Sequence, residues 1–233
     1  MESAMLYTLT LQRITPVTPD TVHLVFDRPA GYDFLPGQAN HWGLDIPGFR
    51  DAGKPFTITS LPDQDRLEFV IKIYNTAEHP DHDGVTERIG RLKPGDKVFV
   101  DGPSGDIRDR GPGVFVAGGA GVTPFIPILL QRQRAGEVGG STLIFSNKCE
   151  ADIILRDTWE SMDGLRSIFV TTEEDGPLHR DEIDAGFIDE MVGFDNRFYV
   201  CGPPPMMRAV IADLRAYGVP EEQIVVESKW LEG

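Results

Sequence analysis

Up to about Asp101, apolar and polar residues alternate in short runs. Leu6-Tyr7-Thr8-Leu9-Thr10-Leu11, Val22-His23-Leu24-Val25-Phe26, Leu67-Glu68-Phe69-Val70-Ile71-Lys72-Ile73 and Lys97-Val98-Phe99-Val100 each follow this rule. A period of two puts one face of an extended chain into a core and the other toward solvent. Pro36-Gly37, Pro47-Gly48, Pro62-Asp63 and Pro94-Gly95-Asp96 separate these runs with turn residues. Short strands at such spacing predict an antiparallel barrel or sandwich. One helix interrupts them, from about Val85 to Arg91, with Gly84 just before it.

The rhythm changes across Gly102-Pro103-Ser104-Gly105 and Gly111-Pro112-Gly113. Beyond them, wholly apolar runs alternate with helical stretches. Val114-Phe115-Val116-Ala117 precedes a helix from Pro124 to about Arg134, and Thr142-Leu143-Ile144-Phe145 one around Ile153 to Met162. Ser167-Ile168-Phe169-Val170-Thr171 precedes a helix around Asp184 to Met191, and Phe198-Tyr199-Val200-Cys201 one from Pro205 to Tyr217. Ile224-Val225-Val226-Glu227 closes the set. Strands buried on both faces and joined by helices make a doubly wound α/β parallel sheet. The chain therefore reads as two domains, an antiparallel β domain over 1–106 and an α/β domain over 107–233.

Between the first apolar strand and its helix lies Gly118-Gly119-Ala120-Gly121-Val122-Thr123-Pro124. Glycines let a backbone approach a ligand closely, and N–H groups at a helix start attract phosphates. Pro124 suits a first helical turn, where its missing N–H has no partner to lose. A tight turn used only for packing is the plainer alternative. Cys201-Gly202-Pro203 repeats the arrangement at another strand end, and ligands of open α/β sheets sit at that rim. Where a dinucleotide fold often carries an acidic residue for the ribose, this chain has Ser146-Asn147-Lys148. A hydroxyl, an amide and a cation lean toward the 2′-phosphate of NADPH, with Arg156 nearby, although Glu150 and Asp152 adjoin them.

Charge and cysteine content narrow the function. The chain has 22 basic and 37 acidic residues, a net charge of −15, so nucleic acid and anionic membranes are poor partners. No apolar run reaches membrane-spanning length, and Met1 to Leu11 lacks the pattern of a signal peptide, so a cytoplasmic location is expected. Two cysteines cannot ligate an iron–sulfur cluster that needs four thiolates. His79-Pro80-Asp81-His82-Asp83 gathers histidines and carboxylates, but it reads as a solvated loop and no metal is expected.

Lys54-Pro55-Phe56-Thr57, the glycine turn, Cys201-Gly202-Pro203 and Glu227, in this order and spacing, closely resemble the ferredoxin–NADP reductase superfamily of flavoproteins. The resemblance covers essentially the whole chain and implies a flavin-binding Greek-key barrel followed by an NAD(P)-binding domain. It gives Lys54 the flavin pyrophosphate, Phe56 the isoalloxazine ring and Thr57 a hydrogen bond to flavin N5. Two of these depart from the family's Arg-x-Tyr-Ser/Thr. Lys54 lacks the guanidinium fork, and Phe56 lacks the phenol oxygen. A second flavin segment resembles Ile71-Lys72-Ile73, followed by Gly84-Val85-Thr86. A helix start suits a pyrophosphate, which FAD has and FMN lacks. Cys201 and Glu227 would position the nicotinamide, and Trp230 would shield the flavin.

The implied activity is an NAD(P)H-dependent flavoprotein reductase delivering electrons to a separate acceptor, with ferredoxin or flavodoxin leading. Arg88, Arg91, Lys93, Lys97, Arg108 and Arg110 could form a basic patch for such an acidic carrier. Two alternatives stay open: a reductase of free flavin or ferric siderophore, and a flavin-binding subunit of a larger complex.

Overall fold

The computed structural model describes residues 7–51 and 53–230. It separates into two compact units, Met1–Gly105 and Asp106–Gly233.

The first unit contains β1 (Tyr7–Thr18), β2 (Thr21–Asp27), β3 (Ala39–Leu44), β4 (Lys54–Thr57), β5 (Arg66–Lys72), α1 (Val85–Ile89) and β6 (Lys97–Val100). The strands form one sheet in the order β4-β3-β6-β1-β2-β5, and every pairing is antiparallel. The two edges are drawn together just after β4, where Thr59 N donates to Glu68 O at 2.8 Å and Glu68 N to Ser60 Oγ at 3.1 Å. That closure gives the expected barrel-like fold and pairs part of the two sheet edges. Inside, the rings of Phe26, Trp42 and Phe69 meet edge to face at 4.8 to 5.9 Å, the favoured geometry for aromatic quadrupoles.

Strand β3 breaks the alternation rule because it buries an amide. Asn40 is fully buried, accepts from Trp42 Nε1 at 2.8 Å and donates to Tyr32 Oη at 2.6 Å. Tyr32 donates in turn to Asp101 O at 3.2 Å, and burial pushes its phenol up to about 12. A fully connected chain of this kind removes the cost of burying polar atoms.

The second unit contains β7 (Val114–Gly118), α2 (Phe125–Ala135), β8 (Ser141–Asn147), α3 (Arg156–Ser161), β9 (Leu165–Thr171), α4 (Ala185–Met191), β10 (Phe198–Cys201), α5 (Pro204–Ala216) and β11 (Ile224–Val225). The sheet order is β11-β10-β7-β8-β9, all parallel. Val114, Val116, Phe198 and Val200 face a core completed by Phe187 and Ile188 of α4 and by Val210 and Leu214 of α5. On alternate positions Phe115 stacks on Tyr199 at 4.2 Å and meets Phe125 of α2 at 5.2 Å. Both sheet faces are therefore covered, as a parallel sheet requires.

Three boundaries differ from the sequence expectation. The helix expected around Ile153 to Met162 begins only at Arg156, because Ile153 is extended and Leu155 sits at φ 56°. Buried Ile153 and Ile154 give that stretch its apolar look without helical geometry. The helix after Gly84 stops at Ile89, with Gly90 at its end. Strand β11 covers only Ile224 and Val225, so Glu227 lies beyond it. Leu6, the expected first strand residue, lies outside the described residues.

Candidate functional site

Strand order decides where a site forms in the second unit. From β7 the chain moves outward to β8 and β9, then returns to place β10 on the other side of β7. The carboxyl ends of β7 and β10 thus adjoin at a topological switch point, where such sheets bind ligands. Cys201 pairs in register with Ala117, and Gly118 with Ser146. One rim therefore carries the glycine turn, the Cys201 loop and Ser146-Asn147-Lys148.

The glycines of the turn have different tasks. A Cβ on Gly118 would lie 2.6 Å from Met206 Sδ and 2.8 Å from Pro203 Cδ, and one on Gly121 would collide with the carbonyl of Cys201. A Cβ on Gly202 would fall 2.8 Å from Met206 Cε and 3.1 Å from Gly118 N. These three glycines let the two loops touch. Gly119 differs: its φ is +50° and nothing lies within 4 Å of its Cβ position. Val122 and Pro124 are buried, and Thr123 gives its hydroxyl proton to Ala120 O at 2.9 Å. Within this turn Gly119, Ala120 and Gly121 remain partly exposed.

Cys201 is half-buried as a residue. Burial pushes its thiol up to about 12, and the Glu227 carboxylate adds to the rise. It is a neutral, polarizable group rather than a nucleophile. Glu227 accepts from Asp106 N at 3.3 Å, while Ser228 N donates to Asp106 Oδ2 at 2.9 Å. This reciprocal pair ties Glu227 to the start of the unit. Trp230 ends a short turn, Ser228–Trp230, and its side chain lies outside what the structure describes.

The cations near β8 are already engaged. Lys148 Nζ lies 2.9 Å from Glu173 Oε1. Arg156 pairs with Glu150 and lies 2.8 Å from Glu160 Oε1, carboxylates that raise its pKa. Glu173 was not legible as a partner, because only the parallel pairing of β8 with β9 brings it to Lys148.

In the first unit, β4 pairs with β3, setting Phe56 opposite Asn40 and Thr57 opposite Ala39. The half-buried Phe56 ring rests edge-on against Trp42 at 5.2 Å. Pro55 is exposed. Lys54 Nζ lies 2.7 Å from Asp83 Oδ2. Asp83 also accepts from Val85 N at 3.2 Å, and both contacts hold its carboxyl low, Lys54 most. Ile71 is buried in the barrel core, Lys72 Nζ lies 2.6 Å from Asp20 Oδ2, and Ile73 N donates to Asp20 O at 2.7 Å. The Ile71 and Lys72 side chains are thus committed elsewhere, and so is the Ile73 amide. At the helix start, Thr86 Oγ1 accepts from Tyr74 N at 3.1 Å, which leaves its own proton to give. Gly84 has φ +78°, and a Cβ there would lie 2.6 Å from Arg88 Nη1. Arg88 folds back to donate to Gly84 O at 3.1 Å and lies over Phe49 at 4.0 Å. Arg88, legible in sequence only as part of a basic patch, is a second cation beside the Gly84 turn, because a glycine four residues earlier leaves room for it to fold back.

His79 and His82 gather around Tyr74, with His82 stacked on its ring at 4.1 Å. Among the described residues, no group of three or more His, Cys, Asp or Glu could hold a metal ion. No described helix is long and apolar enough to cross a membrane.

Comparison with known proteins agrees with the two halves. Residues 8–108 match the oxidoreductase FAD-binding domain and residues 115–211 the oxidoreductase NAD-binding domain. The chain is 29% identical over 230 residues to the reductase component of propane 2-monooxygenase from Rhodococcus jostii, covering 91% of this chain and 60% of that protein. Against the propane 2-monooxygenase reductase components it matches, the chain spans about 60 to 66% of their length. The CS-b5R domains of human Ncb5or, in the NAD⁺ form, superpose with a TM-score of 0.80 at 25% identity, covering 94% of this chain and 68% of that one. A ferredoxin NADP⁺ reductase from Neisseria gonorrhoeae with bound FAD and NADP superposes with a TM-score of 0.76 at 20% identity, covering 95% of this chain and 98% of that one. With an FAD-binding barrel domain followed by an NAD-binding parallel-sheet domain, the chain belongs to the ferredoxin–NADP reductase superfamily.

Proposed function

We propose that the protein is an NAD(P)H-dependent flavoprotein reductase that passes electrons through FAD to a separate acceptor, in a cytoplasmic setting. The observation carrying this reading is the succession of an FAD-binding and an NAD-binding domain in one chain, the second with its two rim loops in contact at the switch point.

The donors of the first unit suit a flavin dinucleotide. Lys54 and Arg88, both beside the Asp83-Gly84 turn, would neutralise a pyrophosphate, and Thr86 would donate to it. Phe56 would pack against the ring system, and Thr57 would orient it by a hydrogen bond. FAD, when bound, supplies the acceptance of a hydride and its release as single electrons. In the second unit, backbone around Gly119 to Gly121 would hold the nucleotide phosphates. Cys201 and Glu227 would position the nicotinamide ring, Cys201 as a protonated thiol. Gly202 and Pro203 would shape that pocket. Ser146, Asn147 and Lys148 are the rim at which NADH and NADPH would be told apart.

The acceptor in this reading is a protein, ferredoxin, flavodoxin or an oxygenase component. The relatives named as reductase components favour that choice over free flavin or a siderophore. Arg88, Arg91, Lys93 and Lys97 belong to the first unit, and Arg108 and Arg110 to the second. Arg88, Arg91 and Lys97 line one cleft together with Asp45 and Asp96. FAD-dependent oxidation of NADH or NADPH with ferricyanide as acceptor tests the reading. Turnover is expected with at least one nucleotide; none with either would contradict it and would favour a flavin-binding subunit.

A further inference from the structure

We infer that the rim at the end of β8 selects NADH and rejects NADPH through the carboxylates of Glu173, Glu174 and Glu150. The inference rests on the reading of the second unit as a pyridine-nucleotide site, and it reverses the lean that Ser146-Asn147-Lys148 gives when read alone.

The pairing of β8 with β9 does not stop at their last residues. Asn147 is in register with Thr171, and the ladder runs on through Thr172 N to Asn147 O and Glu173 N to Lys148 O, each at 2.9 Å. This extension brings the acidic turn after β9 against the segment after β8. Glu173 then takes Lys148 as its ion-pair partner, and Glu174 Oε2 accepts from Glu150 N at 2.6 Å. Arg156 is held between Glu150 and Glu160. Around the position that reads the ribose, two cations face four carboxylates, and both cations are already paired.

A 2′-phosphate carries a charge of about −1.5 to −2 and only acceptor oxygens. To bind here it would have to take Lys148 from Glu173 or Arg156 from its two carboxylates, and then remain beside the displaced acids. A ribose diol makes no such demand. It is neutral, it donates, and a carboxylate has acceptor capacity beyond one ion pair. A second observation points the same way. Asn147 is 6% exposed, and its buried Nδ2 has no hydrogen-bond partner among the described groups. The strand end thus holds an amide donor in need of a neutral acceptor, alongside carboxylates that can accept further hydrogen bonds.

Because Lys148 and Glu173 are largely exposed, salt must weaken the discrimination. The test is calorimetric titration of the full chain with NAD⁺ and with NADP⁺, at low and high ionic strength. It is paired with kcat/KM for NADH and NADPH. The expected result is NAD⁺ binding at least about tenfold tighter at low salt, a gap that narrows as salt rises. The double variant Glu173→Gln, Glu174→Gln should bind NADP⁺ about tenfold better than the parent, because Lys148 is released and the field is relaxed. Equal or tighter binding of NADP⁺ by the parent would overturn the inference while leaving the reductase reading intact. A preference for NAD⁺ that neither the double variant nor salt reduces would overturn the role given to the carboxylates. Failure to bind either nucleotide would remove the underlying nucleotide site itself.

Discussion

Gly121 lies against the main-chain carbonyl of Cys201, so closely that no side chain fits between them. The glycine turn after β7 and the loop after β10 are therefore one packed unit, and the shape of the rim depends on backbone contact. Replacing Gly121 by Ala should force the loops apart. We expect a stability loss of about 1–3 kcal/mol, the usual cost of overpacking, together with weaker NAD⁺ binding. Gly119→Ala meets open space and carries only the strain of its positive φ, so it should cost about 1 kcal/mol. Chemical denaturation of both variants distinguishes the two; an equal loss would contradict the separate tasks assigned to them.

Lys54 has a competitor in Asp83, its 2.7 Å partner. For Lys54 to meet a pyrophosphate, that carboxylate must share it. Asp83→Asn removes the charge while keeping an oxygen for Val85 N, so FAD should bind several-fold more tightly. Lys54→Ala should weaken FAD about tenfold, as loss of a charge-assisted hydrogen bond would. Fluorescence titration of the apoprotein with FAD measures both, and weaker binding by Asp83→Asn would contradict the competition.

Asp20 joins β1, β2 and β5 through Thr18, Thr21 and Lys72. Burial alone would raise its carboxyl, but the Lys72 and threonine contacts outweigh it and hold the group low. A depressed folded-state pKa gives stability that is present above the unfolded value and lost as pH falls through the folded one. Lys72→Ala should therefore cost about 1 kcal/mol near neutral pH. That difference should vanish under acid conditions in which Asp20 is protonated in both states. Urea denaturation across pH is the measurement; a deficit that persists in acid would assign the loss to packing of the lysine stem.

Cys201, with a thiol raised to about 12, should be unreactive in the native protein. At pH 8 the thiolate fraction is on the order of 10⁻⁴. Iodoacetamide followed by peptide mass mapping should leave Cys201 unmodified until denaturant is added. Rapid native alkylation would mean that the thiol is neither buried nor neutral.

Both rhythms of the fold were legible because they follow from burial on one face or on two. The α/β half was the clearer, since Val114-Phe115-Val116-Ala117 and Phe198-Tyr199-Val200 are apolar without interruption. Strand β3 was not legible: Asn40 occupies a core position only because Trp42 and Tyr32 are arranged to satisfy it. Glycine and proline patterns mark the rim loops, yet those patterns do not tell the tasks of the individual glycines apart. Only the contacts show that Gly118, Gly121 and Gly202 serve loop packing, whereas Gly119 faces open space. The surroundings of Lys148 depend on Glu173, a residue one strand away in space and far along the chain. Pairings of that kind are tertiary facts, and local pattern carries no trace of them.

Every role proposed for this chain requires that it bind flavin and reduce it with a pyridine nucleotide. The most direct measurement is the visible absorption spectrum of the purified protein after incubation with FAD, recorded anaerobically before and after NADH is added. The account predicts a stoichiometric flavin spectrum that bleaches on addition of NADH and returns when air is admitted. A protein that stays colourless and retains no FAD would contradict it.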